Sequence, residues 1–250
     1  VRLRVGACTD AGRQRSDNQD YLLYRVRTAE PDAVADASLF IAADGVGGAA
    51  GGACASRLAA CVAAAVFPRD GGTDPAASFA HAVNVADRAV TLTARKDATL
   101  KGMATTLVAA FVREGVFWIA NVGDSRGYLI RGGVARQVTE DHSLVAERVR
   151  AGTLSEAQAA VSAHRHYITR SIGTGEDVET DVFGPYALEP GDRLLLCTDG
   201  LTETMDAAEI AALALAADPE DAARALVDAA NAHGGPDNIS VLIVMASAEQ

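Results

Sequence analysis

The stretch TTLVAAFVREGVFWIANVGDSRGYLIRGG, residues 105–133, decides the fold. Thr105 to Val112 is a short apolar run, and Val116 to Val122 is another. Only Arg113, Glu114 and Gly115 stand between them, a short hairpin connection in which glycine supplies the turn conformation. Gly127 to Arg131 reads as the next strand, and Gly132-Gly133 ends it in the same way. Consecutive hairpins imply antiparallel sheet. They also break the strict strand-helix alternation that a doubly wound parallel fold requires.

Outward from this stretch, further strands are expected at Ser38 to Ala43, Arg193 to Cys197 and Ile239 to Met245, and the N-terminal Val1-Arg2-Leu3-Arg4 reads as an opening strand. Helices are expected from Ala53 to Val66, from Ala76 to Arg95 and, after the start signal Asp218-Pro219-Glu220, as far as about His233. Asp218 is expected to cap that last helix, and Gly234-Gly235 to stop it. Pro68 to Pro75 reads as a loop between helices. Antiparallel strands interleaved with long helices make an α+β, layered architecture. With no internal repeat or low-complexity linker, residues 1–250 are expected to form a single domain.

Composition removes several function classes. A formal net charge of -11 argues against non-specific nucleic-acid binding, and an acidic balance suits a protein that collects cations. Cys8, Cys54, Cys61 and Cys197 form no CxxC pair, so zinc and dithiol redox sites lose their spacing argument. Reduced, buried thiols and a cytoplasmic location are expected instead. No apolar run is long enough to span a bilayer, and the N-terminus lacks the apolar core of a signal peptide. The glycine-rich Asp44-Gly45-Val46-Gly47-Gly48 has neither the lysine of a P-loop nor dinucleotide-fingerprint spacing. Cysteine-based phosphatase chemistry lacks its Cys-x5-Arg loop: six residues after Cys8 stands Gln14.

The informative residues are aspartates. Asp44 follows the apolar Leu39 to Ala43, Asp199 follows Leu194 to Thr198, and each precedes a glycine. Asp124 follows Val122 through one glycine, Asp237 stands just before the strand that begins at Ile239, and Asp20 adjoins the opening strand region. A lone Asp-Gly pair is usually a turn. Acids set repeatedly at the ends of buried strands are costly unless something compensates them. Gathered without a cation, they would keep some protons. A divalent ion removes that conflict, and oxygen ligation favours Mg²⁺ or Mn²⁺ over zinc.

The chain resembles the metal-dependent serine/threonine protein phosphatases of type 2C, in particular the compact bacterial members. The segments that carry the resemblance run in order along nearly the whole length. They are Arg15-Ser16-Asp17-Asn18-Gln19-Asp20, Ala43 to Gly48, Gly102-Met103-Ala104-Thr105-Thr106, Asn121 to Arg126, Thr139 to Ser143, Thr169 to Gly173, Cys197 to Leu201, and Gly235 to Asn238. The resemblance implies a four-layer α-β-β-α sandwich, two central antiparallel sheets flanked by helices. It implies two core Mn²⁺ or Mg²⁺ ions bridged by Asp44, with Asp199 and Asp237 completing one site and the Gly45 carbonyl contributing to the other. Asp124, with Asp199, would hold a weaker third ion. Asp20 would orient the water, and Arg15 would grip the substrate phosphate through bidentate hydrogen bonds.

The implied reaction is hydrolysis of phosphoserine and phosphothreonine in proteins by metal-activated water, without a phosphoenzyme. Phosphorylated proteins, serine/threonine kinases or their substrates would be the partners of a monomeric enzyme. A catalytically silent binding module and a phosphatase of small metabolites are the alternatives. Where some members carry a histidine after the Asp-Gly pair, this chain has Val46. The acid for the leaving oxygen is thus left between metal-bound water and His164 or His166. His142, within Asp141-His142-Ser143, is expected to serve structure as a helix-opening cap, Arg126 and Arg170 to form structural ion pairs, and Gly102, Thr105 and Thr106 to pack around the site. Residues 143–168 correspond to the family's flap, with a helix from Val145 to Ala151 and another starting at Ser155-Glu156.

Overall fold

The computed structural model describes residues 1–26, 37–69, 71–175 and 177–248. In chain order the strands are β1 (Arg2–Asp10), β2 (Tyr21–Arg25), β3 (Ala37–Ala43), β4 (Gly45–Val46), β5 (Ala104–Thr105), β6 (Leu107–Arg113), β7 (Val116–Val122), β8 (Arg126–Arg131), β9 (Val134–Gln137), β10 (Asp181–Ala187), β11 (Arg193–Cys197) and β12 (Ile239–Ser247). The α-helices are α1 (Gly48–Val66), α2 (Pro75–Lys96), α3 (Leu144–Arg150), α4 (Glu156–Ala160), α5 (Asp199–Thr202), α6 (Ala207–Ala216) and α7 (Pro219–Ala232). Among the described residues, one antiparallel sheet runs β1-β12-β11-β8-β9 and the other β10-β7-β6-β3-β2, with β4 and β5 as a two-residue ribbon.

Side-chain alternation sorts the strands into layers. On β6, Leu107, Ala109 and Phe111 face α1 and α2, while Val108, Ala110 and Val112 face the other sheet. On β12, Val241 and Ile243 pack under α6 and α7, while Leu242 and Val244 meet Phe40 and Ala42 of β3 between the sheets. Both faces of these strands are buried, so they read as continuous apolar runs. The result is the expected four-layer α-β-β-α sandwich, with three stacked apolar clusters. Among the described residues, no helix is long and apolar enough to cross a membrane.

Several boundaries differ from the sequence reading. Helix α1 opens at Gly48 instead of Ala53, after Gly47 has turned the chain with φ 116°. Its glycines are tolerated because the first turns approach other chain closely: a Cβ on Gly52 would lie 2.0 Å from Gln19 Oε1. Thr105 belongs to the β4–β5 ribbon, and β6 begins at Leu107 because the Thr106 N–H bonds back to the Asp44 carbonyl at 2.9 Å. Strand β10 carries Gly184 and Pro185, which argue against a strand. It lies at a sheet edge and its register shifts between Phe183 and Tyr186, where proline's missing N–H is tolerated. Asp218 stands at the N-cap of α7, but its carboxylate pairs with Arg4 and makes no capping bond. The four thiols are free, but only Cys197 is buried; Cys61 is exposed and Cys8 and Cys54 are half-buried.

Phe111 stacks between Phe67 and Trp118, with ring centroids at 5.1 and 5.8 Å, on the helix-facing side of β6. Truncating a fully buried phenylalanine leaves a cavity that its neighbours fill only in part. Phe111→Ala should therefore lower unfolding free energy by about 3–5 kcal/mol in urea titrations. A loss below about 1 kcal/mol would mean that this layer is not packed as described.

Candidate functional site

Strands from both sheets deliver their acids to one place. Asp44 follows β3, Asp124 stands past the end of β7, Asp199 opens α5 just beyond β11, and Asp237 precedes β12. All four line a single cleft of about 710 Å³ together with Gly45 and Arg15, so the sequence-predicted ligands are brought together. Asp20 is not among the lining residues. It stands behind them, where Thr198 Oγ1 donates to Asp20 Oδ2 at 2.8 Å.

Neutral donors and acceptors hold the backbone of these acids. The Asp44 N–H donates to Thr106 Oγ1 at 3.0 Å, and the Asp44 carbonyl accepts from Thr105 Oγ1 at 2.7 Å. Thr106 Oγ1 in turn shares a 2.7 Å hydrogen bond with Ser125 Oγ beside Asp124. These threonines thus position a candidate ligand, a closer role than packing. Asn238 is a hub: its Oδ1 accepts from the Gln19 N–H at 2.8 Å, and its Nδ2 donates to the carbonyls of Asp17 at 2.8 Å and Ala11 at 3.0 Å. It fastens the loop bearing Arg15 and Asp20 to Asp237. Arg15 Nη2 donates to Asp237 Oδ2 at 2.6 Å, and its other N–H groups have no protein partner among the described residues.

The glycines after two of the acids are required by close approach. A Cβ on Gly45 would lie 2.2 Å from the Gly52 carbonyl oxygen, and one on Gly200 2.1 Å from that of Asn238. The second approach is what brings α5, and so Asp199, against the segment carrying Asp237. Neither glycine has a positive φ, so what these positions require is the absence of a side chain.

Electrostatics show an acid cluster in conflict. Burial pushes the Asp44 carboxyl well above its ordinary range, and the charges of Asp20, Asp199, Asp124 and Asp237 add to it. Asp199 is raised likewise, by burial first and then by Asp124, Glu203, Asp237 and Asp20. Burial lifts Asp20 to about 7, against the hydrogen bonds from Ser240 and Thr198. Asp124 rises to about 6, by burial and then the charge of Asp141. Asp20 Oδ1 and Asp199 Oδ1 are buried without a hydrogen-bond partner. Orphaned carboxylate oxygens among like charges are the donor set a hard divalent cation takes. Asp44, Asp199 and Asp237 do not form one group with a ligand atom from each within 4.8 Å of the others. The one such group among the described residues is His166, Asp199 and Glu203.

Of the two histidines considered as acids, His166 lines the cleft and its Nδ1 lies 2.6 Å from Glu203 Oε1. His164 is exposed, its ring meets Tyr167 at 5.4 Å, and it does not line the cleft. His142 is buried, and its Nδ1 accepts from the Gly123 N–H at 3.0 Å while Ser143 caps α3. Its use is structural, but the cap belongs to its neighbour. Arg126 grips Asp141 and Arg170 grips Asp181, as expected of ion-pair partners. Sequence reasoning missed Thr198, Asn238 and Glu203. For Glu203 the available signal was its place four residues after Asp199.

The family model described as Protein phosphatase 2C matches residues 11–231. The serine/threonine phosphatase stp of Listeria innocua is 35% identical over 94% of this chain and 93% of its own. Protein phosphatase PhpP of Streptococcus pneumoniae is 35% identical over 99% of both chains. Among solved structures, the S. agalactiae serine/threonine phosphatase superposes with a TM-score of 0.89 at 33% identity, covering 98% of this chain and 100% of its own. The catalytic domain of the serine/threonine protein phosphatase PstP, in complex with two manganese ions, has a TM-score of 0.84 at 29% identity, covering 98% and 99%.

Carboxyls whose folded pKa lies above the unfolded value leave the native state holding more protons, so stability falls as pH rises through the folded pKa. With chelator present, the urea midpoint should therefore fall between about pH 5 and pH 8, the window set by Asp124 near 6 and Asp20 near 7. Saturating Mn²⁺ should remove that slope. A midpoint that rises over this range in chelator would contradict the clustered-acid reading.

Proposed function

The chain belongs to the protein phosphatase 2C family, and from that premise we propose that it hydrolyses phosphoserine and phosphothreonine esters in proteins at the Asp44–Asp199–Asp237 cleft. The carrying observation is the convergence of four acids from both sheets on one cleft with a guanidinium among its lining residues. Asp44, Asp199 and Asp237 would hold the core Mn²⁺ or Mg²⁺ ions, with the Gly45 carbonyl as a further oxygen ligand and Asp124 serving a third position. A divalent cation bound there supplies Lewis acidity, neutralising phosphoryl charge and making water nucleophilic at neutral pH.

The remaining steps belong to the chain. Arg15 keeps one donor on Asp237 and offers its free N–H groups to the phosphate, fixing the phosphoryl group against the acids. Asp20, anchored by Thr198 behind the lining acids and with Oδ1 unpartnered, would orient the attacking water from the floor of the site through that oxygen. The leaving oxygen takes its proton from water in the open cleft. We take the enzyme as a monomer, and the four free thiols suit a reducing, cytoplasmic setting. Proteins phosphorylated by serine/threonine kinases, or those kinases themselves, are the proposed partners.

Residues 143–168 form the flap. Its base is closed by the Ser143–Ile168 bridge and by the Leu144 N–H to the Tyr167 carbonyl at 2.8 Å, and Arg165, His166 and Ile168 reach the cleft. We assign it to the choice of protein substrate. Replacing it with a short loop should slow phosphoprotein turnover more than phosphopeptide turnover; equal rates on both would end that assignment.

Hydrolysis of a phosphothreonine peptide with Mn²⁺ tests the main reading. Turnover should vanish in chelator and fall roughly 100-fold or more in Asp199→Ala. Arg15→Ala should raise KM about tenfold or more, the loss of one charge-assisted contact. Faster turnover of sugar phosphates than of phosphopeptides, or none on either, would overturn the assignment.

A further inference from the structure

Gly123 joins the end of β7 to Asp124 with φ 103°, and a Cβ there would lie 2.6 Å from Thr106 Cγ2. Without a Cβ its own torsions are loosely limited, so the direction in which the chain leaves β7 depends on what holds its peptide groups. His142 holds both sides of this residue. Its backbone N–H donates to the Gly123 carbonyl at 3.0 Å, and its ring Nδ1 accepts from the Gly123 N–H at 3.0 Å. An Nδ1 that accepts carries no proton, so the neutral ring must carry its proton on Nε2. Asp181 Oδ2 stands 3.1 Å from Nε2 to receive it. Arg170 Nη1 lies equally near Nε2 but donates to Asp181 Oδ1 at 2.7 Å, leaving Oδ2 for the ring. Burial pushes the Asp181 carboxyl up, but hydrogen bonds from His142 and Arg170 bring it below its ordinary range, so it stands ionised and can only accept. His142 and Gly123 are both buried, which leaves water no place in this arrangement.

We propose that His142 is a positioning residue of the cleft: held as the Nε2–H tautomer by Asp181 and Arg170, its ring fixes the Gly123 peptide and so aims the Asp124 carboxylate into the acid cluster. The inference rests on the proposed use of Asp124 as a cation ligand, and the residues it adds stand outside the cleft lining. A ring that only filled space would need no particular tautomer. Here the wrong one, or a ring protonated on both nitrogens, would set N–H against the Gly123 N–H. The peptide would then have to rotate to find another acceptor. Beyond Asp124 the chain is held again, by the 2.7 Å bond between Ser125 Oγ and Thr106 Oγ1. Rotation at Gly123 is therefore taken up at Asp124 itself.

The test joins ¹⁵N NMR of the metal-free full chain to equilibrium dialysis of Mn²⁺. In wild type at neutral pH, His142 should appear as a neutral ring with its proton on Nε2 and Nδ1 bare. Asparagine places an acceptor oxygen where Nδ1 stands, whereas glutamine reaches toward Asp181 and leaves the Gly123 N–H without a partner. His142→Gln should therefore weaken about tenfold or more the same ion that Asp124→Ala weakens, and His142→Asn should restore most of that affinity. In Asp181→Asn, Arg170 claims the amide oxygen and turns the NH₂ to the ring. The ring proton should then move to Nδ1, and the same ion should weaken with the imidazole still in place. A wild-type ring protonated on Nδ1 would overturn the proposal without any variant. So would unchanged Mn²⁺ binding in His142→Gln, or equal losses in the Asn and Gln variants, which would leave a space-filling ring only. Asp124→Ala binding every ion as wild type does would instead remove Asp124 as a ligand, whatever tautomer the ring shows, and with it the reading on which this inference rests.

Discussion

Like charge held out of water is the constraint on which the rest of the structure depends. Asp20, Asp44, Asp124 and Asp199 all have carboxyls raised by burial, and the charges of the other three add to the discomfort of Asp44. A flexible chain would relieve this by drifting apart. Here the relief is blocked, because the acids are tied to neutral partners: Thr105 and Thr106 on the backbone of Asp44, Thr198 on one carboxylate oxygen of Asp20, Asn238 on the segments around Asp237. Little of this bonding uses the carboxylate oxygens that a cation needs. The fold thus keeps the acids together and leaves their charge for an ion to settle, which is preorganisation in the electrostatic sense.

That rigidity requires two sheets. Asp44 and Asp124 follow strands of one sheet, Asp199 and Asp237 flank strands of the other. Their separation is therefore fixed by the apolar layer between the sheets, where Phe40 and Ala42 meet Leu194, Leu196, Leu242 and Val244. The Gly200–Asn238 contact completes the closure within the second sheet, since any side chain there would push α5 away from β12. Active-site geometry and core packing are in this respect the same quantity.

The architecture was legible because its central strands are buried on both faces, giving uninterrupted apolar runs between short turns, as in residues 105–133. Strands β2 and β9 were not legible, being half-exposed edges of mixed polarity, and β10 was masked by Gly184-Pro185. The opening of α1 was hidden by glycines whose reason is an approach to Gln19 and Met103, distant in sequence. The aspartates were legible because an acid at the end of a buried run is anomalous on its own. Thr198 and Asn238 were not, because a threonine or asparagine becomes a hub only once β11 and β12 are in register, with Cys197 opposite Val241. Local pattern fixes what an element is. Which polar group it meets is decided by pairing between segments far apart in the chain.

The same reasoning separates the two walls of the cleft. The acid wall belongs to elements paired on both sides and sealed by helices. The flap wall is a closed excursion anchored at Ser143, Ile168 and the Thr169 N–H to His142 carbonyl bond, with exposed side chains facing the acids. A rigid wall can fix the positions of ions and phosphate to within fractions of an ångström, but it cannot distinguish one phosphoprotein from another. A wall built on a loop can vary without disturbing that geometry, because its attachment points lie outside the sandwich core. His166 is where the two meet: carried by the variable wall, it stands within ligand distance of Asp199 and Glu203 on α5.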